Sequence, residues 1–198
     1  MIALIDYDAG NICSVMNALD RLDVDYLLTS DSDQIRSADK VIFPGVGHAG
    51  AAMSNLKDKG LDQVIKTLKQ PVLGICVGMQ LLCTYSEEGD TTCLDIVPAR
   101  VKRFSQDLDL KVPHMGWNEI QSKRTDHRLL EKISNNDFVY FVHSYYVEDN
   151  QYSIAAAHYG LDICAAVHKE NFYGIQFHAE KSGAVGEQIL GNFIKNIK

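Results

Sequence analysis

The 198-residue sequence is most easily classified by what it lacks. No apolar run approaches the roughly 20 residues that cross a membrane. The start, Met1–Asp6, has neither the basic leader nor the apolar core of a signal peptide. Repeats, low-complexity segments and linkers are absent from the sequence. We therefore expect one domain, residues 1–198, in a protein of the cytoplasm.

Basic charge and paired cysteines are also scarce. The formal net charge is −7 and no basic stripe occurs, which argues against non-specific nucleic-acid binding. The five cysteines form no C-x-x-C pair and no zinc-ribbon spacing, so reduced thiols are the simplest interpretation. Cys164 and His168 are four apart, but they lie in a strand-like run with no partner pair. We therefore predict no metal site.

The first half alternates strand-like runs with helical patterns. The strand-like runs are Ile2–Ile5, Val24–Thr29, Lys40–Phe43 and Pro71–Ile75. The helical patterns are Asn11–Leu22, Ala49–Leu68 with a break near Gly60, and Val77–Tyr85. This order predicts an α/β fold with a doubly wound, mostly parallel sheet flanked by helices. In such sheets the active site lies beyond the carboxyl ends of the strands.

The second half consists mainly of short strand-like runs separated by Asn, Gly and Asp. We interpret them as antiparallel strands added to the parallel core, before a helix from about Ala184 to Ile197. These runs are Leu94–Arg103, Lys111–Gln121, Phe138–Val147, Tyr152–Tyr159, Ile163–His168 and Phe172–Phe177.

The most informative segment is Gly74-Ile75-Cys76-Val77-Gly78. It predicts a cysteine on a sharp turn between a buried strand and a helix, with flanking glycines because the turn is strained and crowded. The helix start supplies backbone N–H groups and a positive dipole end, which favour a thiolate. This pattern indicates covalent catalysis on a carbonyl carbon. A buried structural cysteine is the alternative interpretation.

A cysteine nucleophile needs a base, and the base needs a group that orients it. His178 and Glu180 follow the last predicted strand and are two residues apart. Side chains at i and i+2 of extended chain point the same way, so Glu180 can hold one imidazole nitrogen while the other faces Cys76.

A second glycine-rich loop, Gly45-Val46-Gly47, follows the third strand. With the backbone after Cys76 at Val77, its N–H groups can complete an oxyanion hole, where one donor is typically worth about 3 kcal/mol. An ordinary turn is the alternative. Gly-x-Gly alone is too weak a signal for dinucleotide binding, and we expect no cofactor.

Together these residues closely resemble the class I (triad) glutamine amidotransferases over essentially the whole chain, which implies a flavodoxin-like fold. Two segments, Pro-Gly-Val-Gly and Pro-His-Met-Gly-Trp-Asn, are similar to those of the glutaminase subunits of imidazole glycerol phosphate synthases. The segments that carry the resemblance are Asp6-Tyr7 with Gly10-Asn11, Pro44-Gly45-Val46-Gly47, Gly74–Gln80, Pro113–Asn118, His143-Ser144-Tyr145 and Gly174–Ser182.

The resemblance implies a role for each of these residues. Cys76 attacks the side-chain amide of glutamine, His178 transfers the proton to the leaving ammonia, and Glu180 orients His178. A γ-glutamyl thioester forms and water releases glutamate. Family members reorient the peptide at the position of Val46 to complete the oxyanion hole, which implies weak activity until the partner is occupied. The implied substrate-binding positions are Gly47, Gln80, Ser144 and Tyr145.

The implied partner is a (β/α)8-barrel cyclase subunit, forming a heterodimer. Ammonia would pass through the interface and react with an aminoimidazole-carboxamide ribonucleotide precursor, giving imidazole glycerol phosphate in histidine biosynthesis. The positions that match the family's interface are Met115, Trp117, Tyr140 and Lys181.

The chain departs from the family pattern at Ala179, where proline is usual, and at Asp8 and Asp95, which stand where glycine is common. No reacting group is lost, so we expect activity. Three alternatives stay open: a paralogous glutaminase subunit that feeds ammonia to another synthase, a cysteine hydrolase of the peptidase/deglycase type, and a docking module without activity. The intact Cys76, His178 and Glu180 argue against the last.

Overall fold

The computed structural model describes residues 1–8, 12–107, 109–124 and 126–197. Residues Gly10 and Asn11, which belong to the resemblance and to the predicted start of the first helix, lie outside this range. No helix within the described residues is long and apolar enough to cross a membrane. The strands are β1 (Ile2–Ile5), β2 (Tyr26–Thr29), β3 (Lys40–Gly45), β4 (Val72–Cys76), β5 (Cys83–Ser86), β6 (Thr91–Thr92), β7 (Val97–Arg103), β8 (His114–Glu119), β9 (Gln121–Ser122), β10 (Phe138–His143), β11 (Tyr145–Val147), β12 (Ser153–His158), β13 (Asp162–Lys169) and β14 (Phe172–Ile175).

The helices are α1 (Ile12–Arg21), α2 (Ser32–Ser37), α3 (Ala49–Asp58), α4 (Leu61–Thr67), α5 (Val77–Leu81) and α6 (Gly183–Asn196), with 3₁₀ turns at Arg128–Leu130 and Ala179–Lys181. Gly60, at the predicted break, adopts φ 67° between α3 and α4. The sequence analysis did not predict helix α2. Asp31 precedes this helix and caps it, because its side chain accepts hydrogen bonds from the backbone N–H groups of Asp33 and Gln34.

The main sheet has eight strands in the order β2-β1-β3-β4-β14-β13-β12-β9. The first five run parallel, and β13, β12 and β9 extend the sheet with antiparallel pairs. Strands β1 and β4 are buried along their whole length, as expected for strands covered on both faces. The predicted α/β fold with a doubly wound, mostly parallel sheet is confirmed.

The sequence predicts that the strands of the second half add to the parallel core, but only some of them join the main sheet. Strands β8 and β10 form a separate antiparallel pair, and β11, β7, β5 and β6 form a separate four-stranded sheet. The predicted strand Phe138–Val147 is therefore two strands, β10 and β11, divided at Ser144 between different sheets. Only His143 and Ser144 interrupt the run of apolar and aromatic residues, so the sequence gives little sign of the break.

The helix predicted over Val77–Tyr85 is also wrong in length. It ends at Leu81, and the chain from Cys83 becomes β5, which pairs with β7. Backbone pairing to a strand more than ten residues later decides this boundary, and local periodicity does not report such a pairing.

Candidate active site

The register of three neighbouring strands brings the predicted reacting residues to one edge of the sheet. Gly45 at the end of β3 pairs with Cys76 at the end of β4. On the other side of β4, Ile75 pairs with Ile175, the last residue of β14. His178 therefore lies only three residues after the end of β14 at Ile175. The carboxyl ends of β3, β4 and β14 thus meet where the sequence predicted a site.

Cys76 occupies a strained turn between β4 and α5. Its φ of 54° and ψ of −110° are rare for a residue with a side chain. The predicted crowding around it is confirmed: a Cβ on Gly78 would lie 2.0 Å from the carbonyl oxygen of Phe43, and one on Gly74 would lie 2.8 Å from backbone atoms of Gly78. Gly45 is equally constrained, since a Cβ there would lie 2.5 Å from the Gly78 nitrogen. Close backbone approach therefore requires glycine at all three positions.

His178 and Glu180 form a buried pair behind this turn. The Nδ1 atom of His178 lies 2.6 Å from Oε1 of Glu180, and both side chains are only 3% exposed. Burial lowers the pKa of His178, but hydrogen bonds to Cys76 and Glu180 outweigh it and raise this pKa to about 10. The imidazole thus sits between a sulfur and a carboxylate, and its Nε2 atom is left for the sulfur. This is the arrangement that nucleophilic catalysis by a cysteine requires.

A cavity of about 290 Å³ opens in front of Cys76. Most of the residues predicted to contact substrate line it: Val46, Gly47, Cys76, Val77, Gln80, Ser144, Tyr145 and His178. Gly45 and Glu180 instead line a smaller cavity behind His178. Lys181, predicted at the partner interface, also lines the larger cavity.

Three polar residues at the site were missed in the sequence. Glu88 lines the cavity, and its Oε2 accepts a hydrogen bond from the Ala49 backbone N–H at the start of α3. Gln176 is completely buried and donates to the sulfur of Cys76, with 3.7 Å between Nε2 and Sγ. His143 lines the cavity from the end of β10. The signals were weak: Gln176 is a polar residue inside a buried run beside His178, and Glu88 lies in a turn of acidic residues.

The aromatic residues predicted to contact a partner lie on the outer face of the β8–β10 pair. Trp117 is 55% exposed and Met115 62% exposed. The Tyr140 ring packs edge-on against Trp117, with 6.0 Å between ring centroids. Phe138, which the sequence analysis did not select, is exposed on the same pair of strands. An exposed apolar face of this kind is typical of an interaction surface.

This outer face is connected directly to His178, the predicted base. The carbonyl of Tyr140 accepts a hydrogen bond of 2.9 Å from the backbone N–H of His178. The backbone N–H of Tyr140 donates to Oγ of Ser182, which donates to the His178 carbonyl. Strand β10 therefore holds both ends of the turn that carries His178 and Glu180.

The family to which the chain belongs follows from a comparison with family models. The model described as glutamine amidotransferase class-I matches residues 3–197. The chain is a class-I glutamine amidotransferase. The enzyme class predicted from the sequence is thereby confirmed.

Curated relatives of this amidotransferase share the full length of the chain. The protein called "Imidazole glycerol phosphate synthase subunit HisH" in Bacteroides thetaiotaomicron is 53% identical, with 98% of each chain covered. The protein of the same name in Bacteroides fragilis is 52% identical over 98% of each chain. The one in Idiomarina loihiensis is 45% identical over 98% of this chain and 97% of its own. The predicted resemblance to glutaminase subunits of this synthase is confirmed.

Solved structures support the fold of the amidotransferase at much lower identity. A putative GMP synthase protein from Thermoplasma acidophilum superposes with a TM-score of 0.75 at 19% identity, covering 98% of this chain and 91% of its own. PurLQS from Thermotoga maritima gives a TM-score of 0.70 at 14% identity, covering 100% and 98%.

Proposed function

We propose that this amidotransferase is the glutaminase subunit of an imidazole glycerol phosphate synthase of histidine biosynthesis, acting in the cytoplasm. It hydrolyses glutamine to glutamate and ammonia, and passes the ammonia to a (β/α)8-barrel cyclase subunit that makes imidazole glycerol phosphate and AICAR. The observation that carries the hydrolysis is the buried alignment of Cys76, His178 and Glu180, in which Cys76 and His178 line one cavity and Glu180 contacts His178 from behind.

The chemistry begins with proton transfer from the Cys76 thiol to Nε2 of His178. The sulfur attacks the side-chain carbonyl carbon of glutamine, and the C–N bond of the amide breaks. His178 returns its proton to the leaving nitrogen, which departs as ammonia and leaves a γ-glutamyl thioester. Water then attacks the thioester, His178 accepts a proton from it, and glutamate leaves as the thiol is restored.

The negative oxygen that forms at each attack needs backbone donors. The N–H of Val77 stands at the start of α5, where the helix dipole also favours negative charge. Val46 and Gly47 line the cavity beside it. We assign these groups to the oxyanion hole, with Gly45 providing the space in which the loop approaches the turn at Cys76.

The charged end of glutamine needs partners of both signs. Glu88 places a carboxylate on the cavity wall, which suits the α-ammonium group of the substrate. Gln80, Ser144 and Tyr145 line the rest of the wall and supply polar groups for the substrate. The carboxylate of Glu88 and the polar groups of Gln80, Ser144 and Tyr145 suit a free amino acid with a side-chain amide.

The barrel cyclase is assigned to the outer face of β8 and β10. Met115, Trp117 and Tyr140 offer it an apolar surface, and Lys181, which lines the cavity, is assigned to the same interface. The relatives at 45–53% identity are named as subunits, which implies a partner for each of them. A partner on this face would contact Tyr140, whose backbone carbonyl accepts a hydrogen bond from the N–H of His178.

Release of glutamate from glutamine tests the hydrolysis. The Cys76→Ala variant should lose activity by a factor of at least about 10⁴, because the nucleophile is gone. Cys13→Ala removes an exposed cysteine outside the cavity and should keep wild-type activity. Equal activity in Cys76→Ala and wild type would disprove the proposed nucleophile.

A further inference from the structure

Two buried glutamine side chains connect the backbone of β11 to the sulfur of Cys76. Gln80 donates from Nε2 to the Tyr145 carbonyl at 3.0 Å and to Oε1 of Gln176 at 3.0 Å. Gln176 donates from Nε2 to Sγ of Cys76 at 3.7 Å. Gln80 is 2% exposed and Gln176 is fully buried, so water does not compete for these hydrogen bonds.

The orientation of both amides is fixed by the Tyr145 carbonyl. A carbonyl oxygen only accepts hydrogen bonds, so the nitrogen of Gln80 has to face it. The second N–H of that nitrogen is directed at Gln176, which must therefore present its oxygen. The nitrogen of Gln176 is then left facing the sulfur. Rotating the Gln80 amide by 180° would place its oxygen against the oxygens of Tyr145 and Gln176, and rotating the Gln176 amide would place its nitrogen against the nitrogen of Gln80.

The carbonyl itself is held by a pair of neutral histidines. Nδ1 of His143 lies 2.8 Å from the Tyr145 oxygen, and Nε2 of His143 lies 3.0 Å from Nδ1 of His114. Burial lowers the pKa of His143 to about 3 and that of His114 to about 4. In the neutral pair, His143 donates to the carbonyl and accepts from His114. The Tyr145 carbonyl is therefore a fixed acceptor.

We propose that Gln176 is a further catalytic residue, whose side-chain N–H donates to the Cys76 sulfur and stabilises it as a thiolate. The proposal rests on the proposed function, in which Cys76 is the nucleophile. The S–H bond breaks, its proton goes to Nε2 of His178, and the charge left on sulfur is stabilised by the Gln176 amide. Gln176 takes no proton, which distinguishes its role from that of His178.

Other ionisable groups face the same sulfur and must stay constant in a test. His178 approaches from the turn after β14, and its hydrogen bond to Glu180 helps to raise its pKa. Tyr7 follows β1 and donates from its hydroxyl to the Pro44 carbonyl. His143, Glu88 and Lys181 line the cavity in front of the sulfur. All of them are retained in the variants below.

The test is the pH dependence of Cys76 alkylation by iodoacetamide, followed by mass spectrometry of the peptide that contains Cys76. This reaction reports the thiolate and needs neither glutamine nor a partner. Gln176→Met removes the donor at similar size, and we expect the apparent pKa of alkylation to rise by about one unit, giving about tenfold slower alkylation below the midpoint. Gln176→Glu directs an oxygen at the sulfur and should raise the apparent pKa of alkylation further. Gln63→Met, on the surface of α4, is the matched control and should match the wild type.

Unchanged alkylation profiles in folded Gln176→Met and Gln176→Glu would overturn the proposal. If these variants do not fold, the wild-type chain decides. In a pH titration, the chemical shift of its Gln176 side-chain ¹⁵N should change with the same midpoint pH as alkylation. A chemical shift that does not change with pH would also overturn the proposal. Glutamate release by the wild type is measured separately. If the apparent pKa of alkylation rises from the wild type to Gln176→Met and further to Gln176→Glu, but no glutamine is hydrolysed, the proposed function fails while the assignment of Gln176 stands.

Discussion

At the scale of single residues, the site depends on where protons are held. Cys76 and His178 are both buried, and the carboxylate that contacts His178 is that of Glu180. The pKa of His178 is raised because its charged form gains two hydrogen-bonded partners, although burial opposes this. These partners therefore favour the charged form of His178 once it has accepted a proton.

Glu180→Gln should lower the pKa of His178 from about 10, because an uncharged acceptor stabilises the imidazolium less. Glutaminase activity should fall by about 10² or more, since both proton transfers pass through this ring. NMR titration of the His178 ring measures the pKa, and Glu187→Gln, which removes a surface carboxylate paired with Arg21, is the control. A titration midpoint that does not change would contradict the role of Glu180.

The neutral pair His114 and His143 should make the protein sensitive to acid. Their folded-state pKa values, about 4 and about 3, lie below the ordinary value of 6.5, so the unfolded chain binds more protons between these limits. The stability that comes from keeping them neutral is fully present above pH 6.5 and is lost as the pH falls towards 4.

Urea unfolding between pH 6.5 and 5 measures this effect. Buried His143 should contribute a slope of at most about 1.4 kcal/mol per pH unit, and His143→Gln should lose that contribution. His178 does not interfere, because its raised pKa alters stability only above pH 6.5. Equal slopes in the variant and the wild type would rule out a buried neutral His143.

At the scale of elements, the sequence predicts the parallel core well and the rest of the fold less well. Strands β1, β3 and β4 are apolar runs bounded by turn residues, and Cys76 lies between two glycines at which a Cβ would clash with backbone atoms. These signals are local. The end of α5 and the division between β10 and β11 are set by pairing with distant strands. Gln176 escaped notice because its partners Gln80 and Cys76 are about a hundred residues away.

Gly78→Ala should destabilise the protein by at least about 1–3 kcal/mol, because the new Cβ would lie 2.0 Å from the Phe43 carbonyl oxygen. Gly191→Ala is the matched control in α6, where a Cβ meets nothing within 4 Å in the described residues. That variant should gain about 0.5–1 kcal/mol from helix propensity. Denaturant unfolding of both variants measures the difference, and a neutral Gly78→Ala would show that the turn at Cys76 is not tightly packed.

Ala179→Pro should stabilise the protein by about 0.4–1 kcal/mol while keeping activity. Ala179 opens a 3₁₀ turn, where proline's fixed φ fits, and His178 before it is extended with φ −90° and ψ 94°. The unfolded chain would lose conformational freedom, which favours the folded state. Thermal unfolding measures the gain, whereas a destabilised variant would mean that the buried turn at Ala179 does not accept the proline ring.

At the scale of the whole molecule, the β8–β10 pair joins the exposed apolar face to the residues of the proposed active site. Its outward side carries Trp117 and Tyr140, and its backbone holds the turn of His178. The sequence indicated the aromatic residues but not this connection, because the hydrogen bond between His178 and Tyr140 appears only when β14 and β10 are placed together. A partner on this face would therefore influence proton transfer without touching glutamine.

Trp117→Ala should weaken binding of the barrel cyclase by about tenfold or more, since aromatic residues at the centre of an interface commonly cost about 2 kcal/mol or more when truncated. Leu28→Ala is the control, because Leu28 is an exposed apolar residue on β2, at the opposite edge of the main sheet. Isothermal titration calorimetry compares the two. Unchanged affinity in Trp117→Ala would remove Trp117 from the interface.

The most direct test of the whole account is glutamate release by the purified chain, alone and with a barrel cyclase subunit that carries its nucleotide ligand. The account predicts weak hydrolysis by the chain alone, strong stimulation by the liganded partner, and no hydrolysis by Cys76→Ala in either condition. Hydrolysis without any stimulation would point to a different synthase partner. No hydrolysis under any condition would contradict the assignment of Cys76, His178 and Glu180 as a glutaminase.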